Sequence, residues 1–210
     1  MMWKLHHIGR LVLLALGFSF LVVSSAQGQL RHLFSLGTAE FYGSDIRGTE
    51  FGRGLVAMDE GGEAFVFEDF KGRISLVFFG FTLCPDICPT TLLQLSQLKA
   101  ALTAEEAKQI QVYLITVDPE RDTPERLQEY LSYFDPGFKA LTGTQEQIAT
   151  MAKSFNVFYN KVPTAVGQYT MEHSSYVFVL DKDANSVLLF REGMGLEEMM
   201  SDLRELQQFN

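Results

Sequence analysis

Cys84 and Cys88, the only cysteines in 210 residues, stand four apart in Gly80-Phe81-Thr82-Leu83-Cys84-Pro85-Asp86-Ile87-Cys88-Pro89. Thiols so placed can do two kinds of chemistry. As thiolates they bind a soft metal ion; oxidised together they close a short-loop disulfide. Positions four apart on a helical turn of about 3.6 residues project to nearly the same side, so both sulfurs can converge on one ion. The apolar run Ile74 to Phe79 reads as a buried strand, and Pro89 with Thr90-Thr91-Leu92-Leu93-Gln94-Leu95 reads as a helix with proline in its first turn. The pair therefore falls at a helix N-terminus, where free N–H groups and the helix dipole favour thiolate. Inert core thiols are the plain alternative. Two in one turn, each followed by proline, argue against it.

The elements that must position this pair alternate strand and helix. Leu55 to Met58 and Ala64 to Phe67, around Asp59-Glu60-Gly61-Gly62, read as an edge hairpin. Val112 to Val117 is a second buried strand. Asp118-Pro119-Glu120-Arg121-Asp122-Thr123-Pro124 then leads into a helix through Phe134, with Asp122 or Thr123 as N-cap. Thr144 and Gln147 form a capping-box start for a helix through Phe155. Tyr176 to Leu180 is a third strand, Val187 to Phe190 its hairpin partner across Asp181 to Asn185, and a last helix begins near Leu196. The order predicts an α/β, thioredoxin-like fold: a central mixed β-sheet flanked by helices, with an N-terminal β-hairpin.

Lys4 and Arg10, the uncharged apolar stretch Leu11 to Val23, and Ser24-Ser25-Ala26 have the layout of a secretory signal cut near Ala26. The alternative is an uncleaved membrane anchor, although the stretch is short for a span and contains Gly17 and Ser19. Domain expectations are therefore a signal peptide over 1–26, a lead-in over 27–50 and one domain over 51–210. The expected location is the periplasm, where a reduced cysteine pair must be maintained or loaded with metal. Removal of residues 1–26 moves the formal charge from −9 to −11. With no basic patch or phosphate-cradling glycine loop, nucleic acid is not an expected partner.

Beyond that leader only His32 and His173 remain. His173, in Met171-Glu172-His173-Ser174-Ser175, precedes the third core strand. In a thioredoxin-like fold the loop entering this strand faces the cysteine-bearing helix, which places His173 opposite Cys84 and Cys88. Two thiolates and an imidazole suit Cu(I) in a three-coordinate site and accept Cu(II) with an added ligand. Zinc also accepts these donors, but a structural zinc site normally has four protein ligands. The bland reading of His173 is a loop or packing residue; Met171, two residues before it, offers a soft thioether ligand to copper, its bland reading being packing.

These stretches resemble the Sco (SenC) family of copper-binding cytochrome oxidase assembly proteins over roughly residues 50 to 208. The resemblance rests on Phe70-Lys71-Gly72, Gly80-Phe81-Thr82, Cys84 to Leu92, Val117 to Pro124, Leu141-Thr142-Gly143 and Glu172-His173-Ser174. It implies a thioredoxin-like fold, one copper ion per chain held by Cys84, Cys88 and His173, and an acidic residue near the metal, for which Asp118 is the candidate. It also implies a role in building the dinuclear copper centre of cytochrome c oxidase subunit II, or of another periplasmic copper protein. Further expected partners are a copper donor chaperone or a thiol reductant, and membrane tethering is common in the family. Turn chemistry is the competing account of Asp118.

The competing function is a thiol-disulfide oxidoreductase, an enzyme in which one cysteine attacks a partner disulfide and the other resolves the intermediate. Cys-x-x-Cys is the usual reductase spacing, so the wider pair here favours metal. A peroxide-reducing enzyme is weaker still, because no separate resolving cysteine exists.

Overall fold

The computed structural model describes residues 41–165 and 167–208. The expected leader and most of the expected lead-in, His32 included, lie outside the described residues. Among the described residues no helix is long and apolar enough to cross a membrane.

At the centre lies β4 (Ile74–Gly80), all seven residues buried. It runs parallel to β5 (Ile110–Thr116), in register from Ile74 opposite Ile110 to Gly80 opposite Thr116, and antiparallel to β9 (Val177–Leu180). A strand with both neighbours and both faces covered needs a near-continuous apolar run rather than alternation, and the one polar side chain of β4, Ser75, donates to the Phe70 carbonyl. β6 (Lys139–Thr142) extends the sheet parallel to β5, and the hairpin of β2 (Val56–Asp59) and β3 (Ala64–Val66) adds to β6 through β2. On the other side β10 (Ser186–Phe190) pairs with β9, and β1 (Ser44–Asp45) closes that edge. The eight strands thus run β1-β10-β9-β4-β5-β6-β2-β3, a mixed sheet of the thioredoxin-like kind.

Among the described residues five α-helices accompany it: α1 (Ile87–Ala101), α2 (Ala104–Lys108), α3 (Pro124–Ser132), α4 (Gln145–Ser154) and α5 (Leu196–Gln208). Their starts follow from local chemistry. The Thr123 hydroxyl accepts from the Arg126 N–H, with Pro124 in the first turn. Thr144 and Gln147 exchange both capping-box hydrogen bonds, at 3.2 and 2.8 Å. Beneath the sheet, Phe79, Phe155 and Phe178 meet edge-on with centroids 5.0 to 6.4 Å apart, an arrangement aromatic quadrupoles favour.

Several parts of the architecture were not read from the sequence. Among them are the short elements β1, α2 and β6. Another is a separate two-stranded unit, β7 (Tyr159–Pro163) with β8 (Tyr169–His173), which pairs only with itself among the described residues. His173 is therefore the last residue of a strand, not a loop residue.

The sheet begins within the stretch expected as lead-in, and a buried carboxylate fixes that beginning. Asp202 of α5 accepts from the N–H groups of Tyr42 at 2.9 Å and Gly43 at 2.8 Å. Burial raises its pKa, and the two donors work against that rise. Asp202→Ala leaves both donors without this acceptor, so a loss of about 1–3 kcal/mol is expected. Urea unfolding should show a lower midpoint, with Asp202→Asn, which keeps one acceptor oxygen, falling between the two.

Candidate metal centre

Leaving β4, the chain turns through Phe81 to Asp86 before α1 begins. Asp86 occupies the N-cap position, yet its side chain makes no capping bond. Instead the Cys84 sulfur accepts from the Cys88 N–H at 3.4 Å. The sulfur thus takes the place of a capping oxygen. Pro89, third in the helix, has no N–H to satisfy. Cys88 is completely buried, whereas Cys84 is partly exposed. Gly80 makes room for the deep sulfur: a Cβ there would lie 2.9 Å from Cys88 Sγ and 2.9 Å from Phe78 Cε1.

β8 brings the third donor. Side chains alternate along a strand, and the burial of Met171 beside the exposed Glu172 shows which face of β8 turns inward. His173 shares the face of Met171. Its Nε2 lies 3.4 Å from Cys88 Sγ, and one ligand atom from each of Cys84, Cys88 and His173 falls within 4.8 Å of the other two. Nδ1 lies 2.9 Å from the Ser174 carbonyl oxygen. A carbonyl only accepts, so Nδ1 carries the proton and the Nε2 lone pair faces the sulfurs. Phe78 and Phe81 hold the imidazole edge-on, each with its centroid 5.9 Å away. Two soft sulfurs and one borderline nitrogen, with the imidazole oriented by its other nitrogen, fit a copper ion in donor type and number.

The two aspartates of the segment following β5 have separate tasks. Asp122, a candidate N-cap by sequence, does not cap α3; Thr123 does. Its buried carboxylate accepts from the Thr82 N–H at 3.1 Å, the Thr82 hydroxyl at 2.5 Å and the Thr116 hydroxyl at 2.7 Å. Asp122 thereby fixes the loop that carries Cys84. Burial raises its pKa, opposed by these donors. Asp118, the candidate for a role near the metal, is also buried, but its carboxylate meets Arg121 and the Tyr169 hydroxyl, the latter at 2.8 Å. Its carboxylate thus holds the strand that carries His173. Met171 packs in the core. Thr82, Phe78, Phe81, Arg121 and Tyr169 escaped sequence reasoning as parts of the site. Phe81, Thr82 and Arg121 stood in stretches that carried the family resemblance, but with no role assigned, because contacts such as Thr82–Asp122 and Arg121–Tyr169 are long-range.

Charge is divided unequally between the thiols. The Cys84 thiol is lowered to about 4, chiefly because the Cys88 S–H donates to its sulfur, with help from the N–H groups of Asp86 and Cys88 against the effect of burial. Cys88 moves upward, since it keeps the shared proton and lies in the core. Tyr130, whose buried hydroxyl has no hydrogen-bond partner among the described residues, is also raised, chiefly by burial.

In the reduced, metal-free protein, iodoacetamide should label Cys84 at a rate nearly flat from about pH 6 to about pH 8, because its thiolate forms well below that window. An ordinary thiol, with pKa near 8.5, would react nearly tenfold faster per unit there. Stopped-time labelling with peptide mapping checks both the profile and the residue.

The SCO1/SenC family model matches residues 45–208. A Stutzerimonas stutzeri protein provisionally named as copper-binding is 41% identical over 131 residues, 62% of this chain and 64% of the relative. The chain thus spans just under two thirds of that relative's length. A SCO2-like protein of Rickettsia conorii is 39% identical over 149 residues, 70% of this chain and 72% of the other. The solved structure of copper-bound ScoI from Bradyrhizobium japonicum aligns with a TM-score of 0.69 at 38% identity, covering 74% of this chain and 99% of that one. With the family model matching most of the domain, and with the cysteine pair and the histidine assembled in one cluster, the chain belongs to the SCO1/SenC family.

Proposed function

We propose that this protein is a copper-binding assembly factor, a metallochaperone that holds one copper ion per chain through Cys84, Cys88 and His173. The observation that carries this reading is the meeting of two Sγ atoms and Nε2 within 4.8 Å, with the nitrogen lone pair turned toward the sulfurs. Such a donor set stabilises Cu(I) with three protein ligands and accepts Cu(II) with one more. The copper-bound state of the Bradyrhizobium relative supports it. The recipient fitting the motif resemblance is the dinuclear copper centre of cytochrome c oxidase subunit II, reached in the periplasm after export by the N-terminal leader. Burial assigns the cysteines different parts in transfer: Cys88 is the fixed ligand, and Cys84 is the sulfur an incoming donor reaches first.

A second reading draws on the same asymmetry. The Cys84 thiolate attacks a partner disulfide and releases one partner thiolate; Cys88 then loses its proton and attacks Cys84 Sγ, releasing the other. The partner disulfide gains two electrons and the pair becomes a disulfide. Nothing in that sequence requires an imidazole as ligand, so His173 separates the two functions.

Cu(I) competition with a chromophoric chelator should find one tightly bound ion in the reduced protein. His173→Ala should weaken it by at least about 100-fold, more than the loss typical of a residue that only supports a ligand, while thiol-disulfide exchange stays largely intact. Binding indifferent to His173 would favour the oxidoreductase. Either cysteine changed to serine should lose both properties. Gly80→Ala should weaken Cu(I) by at least about tenfold, because the added carbon displaces the Cys88 sulfur; unchanged affinity would show that the strand yields instead.

A further inference from the structure

Two of the candidate ligands belong to one turn of chain, but His173 stands on a unit with no strand ladder to the main sheet among the described residues. A two-stranded hairpin is marginally stable by itself. Its placement therefore depends on side-chain contacts. The inward face of β8 offers three side chains at every second position: Tyr169, Met171 and His173. Met171 enters the core. Tyr169, roughly 13 Å along the strand from His173 at about 3.3 Å per residue, makes the polar attachment.

That attachment is built on both ends of one side chain. The Tyr169 hydroxyl donates to Asp118 at 2.8 Å, and Arg121 is paired with the same carboxylate. Arg121 Nη1 donates to the Tyr169 carbonyl oxygen at 2.9 Å, while its guanidinium carbon lies 3.8 Å from the centre of the Tyr169 ring. Ring, hydroxyl and backbone of one residue are all held by Asp118 and Arg121. The opposite strand adds an exposed pair, Lys161 with Glu120 at 2.6 Å, of a kind that contributes little.

We propose that Arg121 and Tyr169, joined through Asp118, form a latch that positions the β7–β8 hairpin and thereby sets where the His173 imidazole stands relative to the cysteines. They are positioning residues, acting on the site only through His173. The consequence for copper rests on the copper reading above, whereas the consequence for the hairpin does not. Arg is suited to this because its planar fork can stack and donate at once, which Lys cannot do.

The test uses Arg121→Met, which removes the pair, the donor and the stack, and Tyr169→Phe, which removes only the hydroxyl. Amide hydrogen exchange in the metal-free protein comes first. Arg121→Met should speed exchange in Tyr169–His173 and in Tyr159–Pro163 at least about tenfold with the β4 and β5 amides unchanged, and Tyr169→Phe should do so less. Equal speeding everywhere, or none in the hairpin, overturns the latch. Cu(I) affinity follows, for Arg121→Met alone and combined with His173→Ala. A loss of about tenfold alone that shrinks below about twofold when His173 is absent supports action through the imidazole. Equal losses in both backgrounds overturn it. Faster hairpin exchange with Cu(I) affinity indifferent to His173→Ala would support the latch on the hairpin and overturn the copper reading instead.

Discussion

Everything at this centre depends on one constraint: three donor atoms must stand together although they arrive on two pieces of chain with independent attachments. Cys84 and Cys88 come with the turn between β4 and α1; His173 comes at the end of β8. The five residues from Asp118 to Asp122 satisfy that constraint. Asp122 binds Thr82 on the cysteine side, and Asp118 with Arg121 binds Tyr169 on the histidine side. Burying two carboxylates four residues apart is unfavourable unless each is fully hydrogen-bonded. Each has its own donors here: Thr82 on the cysteine loop and Thr116 on β5 for Asp122, and Tyr169 on β8 with Arg121 of the segment itself for Asp118. The segment works as a bracket because its own backbone is folded back, with Arg121 and Asp122 N–H groups both donating to the Asp118 carbonyl.

The same bracket explains which parts of the site could be read in advance. Cys84 and Cys88 announce themselves by type and spacing, and the apolar run of β4 fixes them at a strand-to-helix junction. The helix starts at Thr123 and Thr144 were legible because capping is settled within four residues. Asp122 was ambiguous for that same local reason: Asp and Thr side by side are both good caps, and only a contact with Thr82, forty positions back, decides between them. His173 was placed opposite the cysteines by strand order, and that inference needed no detail of the hairpin. Its element was misread because Tyr159–Pro163 mixes asparagine, lysine and proline with a tyrosine and a valine, too weak an alternation to identify a strand. In Tyr169–His173 the signal was present, with Tyr, Met and His at every second position, but a polar strand with one buried methionine resembles a loop until its partner is known.

The two cysteines differ more than their chemical identity suggests, and the backbone is the cause. Cys88 lies inside the first helical turn, so its side chain points back over Gly80 and into the core, where charge is costly. Cys84 precedes the helix, and its sulfur covers an N–H that would otherwise lack a partner. One proton serves both, and it stays with the buried atom. Metal-free, the pair therefore consists of a partly exposed thiolate and a protected thiol, an arrangement equally fit to bind a cation or to attack a sulfur.

What separates those outcomes is the stiffness of the imidazole's approach. If His173 is held where β8 places it, a cation meeting Cys84 finds two further donors already turned inward, and little ordering entropy remains to oppose binding. If the hairpin swings, the same cation meets two thiols with no fixed third donor, and sulfur exchange becomes the easier reaction. Ser174 links these alternatives to the fold: its carbonyl fixes the imidazole tautomer, while its N–H donates to the Phe158 carbonyl and its hydroxyl accepts from the Phe158 N–H. Any displacement of β7 is therefore transmitted to the residue that orients the ring. If both proposed reactions are open to this centre, the choice between them turns on how a marginal hairpin is docked as well as on the identity of the ligands.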